Sequence, residues 1–366
     1  MDRFFSIGFF LLSLCALVFC RPAFSSASSV EPTPEPTRIF VVHSYGPNHI
    51  CGAPQFQGIE RALRERPLFD RRVVFDHFYM RTKRLYTGEA AIRQRGDLAL
   101  IEIKRAQPDL IITIDDNAFR TVALSLTGTD STPIVFSGLN NPPEWYNDQH
   151  HFMDSRLHPS GNITGIYEKI FLRKSLEVTK KVIPDCRKIV GITDSSPTGL
   201  GIARQMELET SGDQLPVAWE SRQARTFTEY KTIVDELNQD PDVCAMYPAA
   251  LNLPEDSAGS VSTDEIFTWT IVHSRLPELT LNYAFCRLGL FGGAAVNFES
   301  MGYAAGLYAR EILDGQAPGE LPIVDAPDFA IVFNSARAAM LDQEIPLPLL
   351  MAADQLYTSI PLLSRP

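Results

Sequence analysis

The chain has 366 residues, with 33 Lys and Arg against 44 Asp and Glu, for a formal net charge of −11. That acidic balance argues against nucleic acid or an anionic membrane surface as partner. At roughly 100–200 residues per domain, the length makes two domains the first expectation.

The chain opens on "MDRFFSIGFFLLSLCALVFCRPAFSSASS". One Arg precedes an apolar run from Phe4 to Cys20, and small residues follow, with Ser25 and Ala27 at A-x-A-like spacing. This is the pattern of a secretory signal peptide over 1–27, cleaved after Ala27. Acylation at Cys20 is the alternative, and the bulk of Phe19 disfavours it. The run is also shorter than the about 20 apolar residues of a membrane anchor. No later stretch approaches that length, so the mature chain is expected to be exported, soluble and periplasmic. Cleavage removes Asp2, Arg3 and Arg21, leaving 31 basic against 43 acidic residues, a charge of −12. "EPTPEPT" within 28–37 reads as an extended Pro-rich lead-in.

Short apolar runs then alternate with helical patterns. "RIFVVHSY" (38–45) is a strand, and "APQFQGIERALRER" is an amphipathic helix with Phe56, Ile59 and Leu63 on one face. Strand 71–80 and helix 88–107 follow, the helix stopped by Pro108. "DLIITID", 132–139 and 162–169 are further strands. The rhythm restarts with helix 171–184, strand 186–194, helix 199–210, strand 215–221, helix 226–239, strand 242–250, helix 262–275 and strand 278–285. Strands alternating with helices, each strand almost continuously apolar, mean parallel sheets covered on both faces. Two such blocks in succession make two doubly wound α/β sheets.

Polar residues gather at one end of these strands. His43, Ser44 and Tyr45 close the first; Asp115, Asp116 and Asn117 close the third; Asn140 and Asn141 follow the fourth. In the second block Asp194, Ser195 and Ser196 close the first strand and Tyr247 the third. Open α/β sheets bind ligands outside the carboxyl ends of their strands. Within Asp115-Asp116-Asn117, one side chain is expected to cap the following helix and another to face a ligand. Ser195, Ser196, Thr198 and Gly199 offer hydroxyls and free N–H groups at a helix start, suited to a carboxylate, although an ordinary capped turn uses the same residues. Tyr45, Tyr167, Tyr247 and Tyr283 fall at strand ends or crossings, where rings stack on a planar ligand or simply pack. Glu168 joins the candidates beside Tyr167.

Catalysis finds little support. A carboxylate pair needs a second group across the cleft, no Ser-His or Cys-His pair stands out, and G-x-S-x-G does not occur. His150, His151 and His158 lie in a loop without carboxylates or Cys at ligand spacing, which reads as a solvated loop rather than a metal site. Cys51, Cys186, Cys244 and Cys286 remain after cleavage. Their pairing stays open; Cys186 and Cys244, in or near apolar runs, read as small buried hydrophobes.

In order along the chain, "FVVHSYGPNH", "PDLIITIDDNAFR", "PIVFSGLNN", "NITGIYE" and "FGGAAVNFESMGYAAGLYAREILDGQAP" resemble substrate-binding proteins of ABC transporters. The branch is the periplasmic one that includes aromatic-amino-acid-binding proteins. The resemblance runs from about Arg38 to Tyr357. It implies the type I fold: two lobes joined by a three-crossing hinge that close on a small molecule. Lobe one is then 38–165 plus 288–325, and lobe two 166–287 plus 326–366. Crossings are expected near Tyr167–Lys169, Arg287–Gly293 and Pro322–Asp328. Helix 299–313 is expected in lobe one with Tyr303, Leu307, Ile312 and Leu313 as its apolar face. The function implied is capture of a small organic ligand, an amino acid or a related compound, for an ABC permease in the inner membrane. No cofactor is implied. The rival readings are a sensor that reports the same ligand to a membrane receptor kinase, and an enzyme on this scaffold.

Overall fold

The computed structural model describes residues 35–65, 72–83, 85–128, 131–159, 161–212, 214–249, 251–254 and 260–364. The expected signal peptide, 1–27, and most of the expected 28–37 lead-in lie outside these residues.

Five strands come from the first block: β1 (Thr37–His43), β2 (Val73–Tyr79), β3 (Leu110–Ile114), β4 (Ile134–Ser137) and β5 (Ile163–Tyr167). They are parallel, in the order β5-β4-β3-β1-β2. Every residue of β3, β4 and β5 is buried, because helices cover both faces of the sheet. Helices Gly52–Glu65 and Phe298–Leu313 pack on the face made by Ile39, Val41 and Ile112; Glu89–Ala106 packs on the face made by Phe40, Val42 and Ile111.

The late helix packs on this sheet, with a buried face different from the one expected. Phe298, Met301, Gly302, Ala305, Gly306, Ala309 and Ile312 are buried, whereas Tyr303, Leu307 and Leu313 are only half-buried. The cause is how closely it crosses Gly52–Glu65. A Cβ on Gly302 would stand 1.9 Å from the Gln55 carbonyl oxygen, and one on Gly58 2.1 Å from that of Glu299. Glycine and alanine therefore occupy the contact, and the larger side chains flank it.

The second block supplies β6 (Lys188–Asp194), β7 (Ala218–Ala224) and β8 (Val243–Pro248), parallel in the order β7-β6-β8. A two-residue pair, β9 (Leu253–Pro254) and β10 (Ser260–Val261), follows. Then β11 (Gly292–Val296) pairs antiparallel with β13 (Phe329–Asn334), and β13 pairs parallel with β14 (Gln355–Tyr357); β12 (Val324–Asp325) lies on β5 at the edge of the first sheet. Bridges Met246–Glu278 and Leu279–Gly292 connect the two halves of the second lobe's sheet.

Two expectations are corrected here. The strand 278–285 is reduced to isolated bridges, and Tyr283–Leu288 form a helix. Asn282 caps it, its side-chain oxygen accepting the Phe285 N–H at 3.1 Å. The second crossing falls at Val296–Phe298 rather than at Arg287–Gly293, because β11 belongs to the second sheet. Gly292 and Gly293 serve that pairing: at φ 130° and 131°, with a Cβ on Gly292 only 2.1 Å from the Val332 carbonyl oxygen, no other residue fits. The other crossings follow β5 and β12.

Cys186 and Cys244 are joined in a disulfide that ties the entry of β6 to β8, with Cα atoms 5.3 Å apart and the half-cystines 58 positions apart in sequence. This corrects their reading as separate small hydrophobes. Closing a loop of that length stabilises the fold by about 4 kcal/mol in the chain-entropy account. Cys51 and Cys286 are free.

Candidate binding site between the lobes

The site begins where β1 and β3 end. Ser44 is fully buried; its hydroxyl donates to the Ile114 carbonyl at 2.9 Å and accepts the Ala118 N–H at 2.8 Å. The cap of the helix that starts at Asp116 is therefore Ser44, from the neighbouring strand. Neither Asp115 nor Asp116 makes the expected capping bond. Asn117 is also committed within the lobe, donating to Thr82 Oγ1 at 2.9 Å and accepting from Arg120 at 2.9 Å.

Freed from capping, the two carboxylates differ. Asp116 is buried but well satisfied: Arg120 Nε lies 3.2 Å from Oδ2, and Oδ1 accepts from the Tyr146 hydroxyl and the Asn140 N–H. Asp115 adopts φ 65°, ψ 170°, a strained conformation for a residue with a side chain. Its Oδ1 accepts from Gln55 Nε2 at 2.7 Å, and Gln55 in turn accepts from Ser137 Oγ at 2.7 Å. Asp115 Oδ2 is buried without a hydrogen-bond partner. So are Asn140 Nδ2 in the same lobe and the Tyr247 hydroxyl in the other. Glu168, 5% exposed, has no hydrogen bond or ion pair among the described residues.

Burial raises the affinity of these carboxylates for protons. Asp115 is pushed up to about 7, chiefly by desolvation, with the Gln55 bond and Lys83 opposing and Asp116 adding. Asp116 rises to about 6, restrained by Arg120. Glu168 rises to about 8 through burial and the charges of Asp115 and Asp116. Burial and the same carboxylates also drive the Tyr45 phenol well above its usual range. Tyr247 feels Glu168 and Glu209, so groups from both lobes converge on one region. A buried, partly unpaired set of this kind is costly in an empty protein and characteristic of a binding site.

In lobe two the loop after β6 is organised around Asp194. Its Oδ1 accepts from the Ser196 N–H at 2.9 Å and the Ser196 hydroxyl at 2.6 Å, and Oδ2 accepts from the Asn252 N–H. Ser196 caps helix Pro197–Thr210 by accepting the Gly199 N–H at 3.1 Å. Gly199 has no room for a side chain, since a Cβ would meet Asp194 Oδ1 at 2.0 Å. Ser195 points to solvent; Thr198 is half-buried. Tyr283 packs, half-buried, against the core of lobe one.

Between the lobes lie a cavity of about 280 Å³, bordered by Tyr45, Lys83, Asn117, Ser196, Thr198 and Asn252, and one of about 390 Å³ that includes His49, Cys51, Ser262 and Phe285. The lobes also touch directly. Arg204 donates to Asn141 Oδ1 at 2.7 Å while its guanidinium lies 5.0 Å from the Trp145 ring, and Gln205 donates to the Asn140 carbonyl at 3.0 Å. Near the crossings, Arg156 and Lys169 both hold Asp325, at 2.8 and 3.3 Å, with Arg156 also against the Tyr167 ring.

The structure thus gathers Tyr45, Asp115, Asp116, Asn140, Glu168 and Tyr247 about the region between the lobes, and Thr198 borders the neighbouring cavity. Ser44, Asn117 and Ser196 are spent on internal bonds, although Asn117 and Ser196 border that cavity as well. Sequence reasoning missed Gln55, Lys83 and Arg204, which sit on ordinary-looking helix and loop stretches and carry no local signal. His150, His151 and His158 are exposed. Among the described residues no group of three or more His, Cys, Asp or Glu is placed to hold a metal ion, and no helix is long and apolar enough to cross a membrane.

Largely parallel sheets in two lobes, three crossings and buried polar groups at the facing strand ends define a type I solute-binding protein. Residues 78–357 match the family model for ABC transporter substrate binding proteins, and the chain belongs to that family. A curated relative, the tyrosine-binding protein of Clostridioides difficile, is 22% identical over 263 residues, covering 68% of this chain and 72% of its own. Two solved structures share the fold. One is an ABC domain from Streptococcus pneumonia in complex with L-Trp (TM-score 0.66, 18% identity, 88% of this chain and 99% of that one). The other is a ligand-free, open substrate-binding protein with adhesive properties from Clostridium difficile (TM-score 0.65, 16% identity, 88% and 100%).

Proposed function

We propose that this protein is exported to the periplasm, closes its lobes on a small organic solute and delivers it to an ABC permease, without changing the solute chemically. One observation carries the reading most directly. Asp115 Oδ2 from one lobe and the Tyr247 hydroxyl from the other are buried without partners, and a bound solute would supply them. Family membership supports transport over the receptor-kinase role. The relatives named for tyrosine and solved with L-Trp make an amino acid or a close derivative the first ligand class to try. Asp115, Asp116, Asn140, Glu168 and Tyr247 are the residues proposed to touch it, with Tyr45 and Thr198 bordering the site.

Mass spectrometry of small molecules released by denaturing the purified protein tests the reading. A stoichiometric organic solute that rebinds to the stripped protein is expected. Recovery of none, together with no stabilisation by any member of an amino-acid and amine library, would remove solute capture as the function.

A further inference from the structure

The charges around this site are unbalanced, and that narrows the ligand within the solute-binding reading on which the following rests. Asp115, Asp116, Glu168 and Asp194 are all buried near it. Against them stand three cations. Arg120 is committed to Asp116 and Glu89, and Arg204 to Asn141 and the Trp145 ring. Lys83 lies toward the mouth, its Nζ 5.7 Å from the Tyr45 ring centroid.

Two of the groups expected to receive a ligand carboxylate, Ser196 and the Gly199 N–H, are already engaged. Both the amide and the hydroxyl of Ser196 donate to Asp194 Oδ1, and the Gly199 N–H is turned to Ser196 Oγ. A second carboxylate arriving there would meet the charge of Asp194 and find these donors taken. Conversely, Asp115 Oδ2 and Glu168 have no donors of their own. The buried Tyr247 hydroxyl and Asn140 Nδ2 add one group of either role and one donor, suited to a neutral acceptor beside a cation.

We propose that the cleft selects an organic cation, a primary amine or amidine without a carboxylate of its own, and that its charge replaces a proton held by Asp115 or Glu168. The proton leaves to solvent as the ammonium arrives, and no covalent bond of the solute changes. Burial is the main influence on both carboxyls; beyond it, Gln55 and Lys83 favour the Asp115 anion and Asp116 opposes it, and Asp115 and Asp116 oppose the Glu168 anion. Tyr45, Cys51 and Tyr247 face the same carboxylates and feel their charge. Because burial holds these carboxyls protonated up to about 7 and about 8, affinity for the cation rises as the pH climbs through that range.

Isothermal titration with matched pairs, tyramine against tyrosine and tryptamine against tryptophan, tests this on the stripped mature protein. Each amine is expected to bind about tenfold more tightly than its amino acid. The amines should gain at least another factor of about ten between roughly pH 6 and pH 8, with proton release seen as a dependence on buffer ionisation heat. Glu168→Gln should remove most of that pH gain. Amino acids that bind as tightly as their amines overturn the cation preference and leave solute capture standing. Tighter amine binding that ignores pH and releases no proton overturns the exchange. If none of the four binds, the released solute decides: a carboxylate-bearing or neutral one overturns the inference, and a basic one lacking a carboxylate supports it. No solute at all takes down both readings.

Discussion

The Ser44 hydroxyl, at the end of β1, accepts the amide hydrogen of Ala118 at 2.8 Å, across 74 residues of sequence. One side chain thereby fastens β1 to β3, through its bond to the Ile114 carbonyl, and caps the helix that leaves the site. Ser44→Ala leaves both buried backbone groups without that partner. The loss should be about 1–3 kcal/mol in denaturant unfolding. Asp115→Asn removes no cap, so loss of cap-sized stability from that variant alone would show the assignment to be reversed.

The raised carboxyls fix a direction for stability against pH. A group whose folded-state pKa lies above its unfolded value favours the fold while protonated in both states, and that contribution is lost as pH rises through the folded value. For Asp115 the change runs from its ordinary 3.8 to about 7, and for Glu168 from 4.5 to about 8. The empty protein should therefore lose stability as pH is raised across that window, by a total on the order of 1 kcal/mol or more, read as a falling melting temperature. Glu168→Gln should flatten the profile. A melting temperature that climbs steadily over the same window would contradict the burial-driven shift.

Gly302 is where the two helices of lobe one nearly touch. Gly302→Ala places a methyl 1.9 Å from the Gln55 carbonyl oxygen, and a backbone contact cannot be relieved by a rotamer change. The variant should lose about 2–4 kcal/mol. Because Gln55 also holds Asp115, it should weaken ligand binding as well. Unchanged unfolding would mean that the helices part at little cost.

Arg204 ties the lobes through Asn141 and the Trp145 ring. Arg204→Ala should shift the empty protein toward a more open form, visible as a larger radius of gyration in small-angle scattering. Added ligand should bring the radius down again. A scattering profile identical to that of the parent protein, with and without ligand, would rule out both the latch and a hinge that closes.

Much of this protein is written in local pattern. The apolar runs at 39–42, 111–114 and 189–192 mark buried parallel strands because a residue's burial in such a sheet needs only its own chemistry and that of its near neighbours. The clustering of Ser44, Asp115, Asn140 and Asp194 at strand ends was legible for the same reason, and with it the side of the fold on which the binding site is proposed. Tertiary structure decided the pairings. Ser44 rather than an aspartate caps the helix through Ala118, Gln55 reaches Asp115 from 60 residues away, Cys186 finds Cys244, and Asp194 takes the Ser196 donors of the loop that looked ready for a carboxylate. Each of these turns on which of several chemically equivalent partners lies within about 3 Å. Chain order does not carry that distance; it is set when helices and sheets pack, as Gly58 and Gly302 show by letting two helices, more than two hundred residues apart in sequence, meet at their backbones.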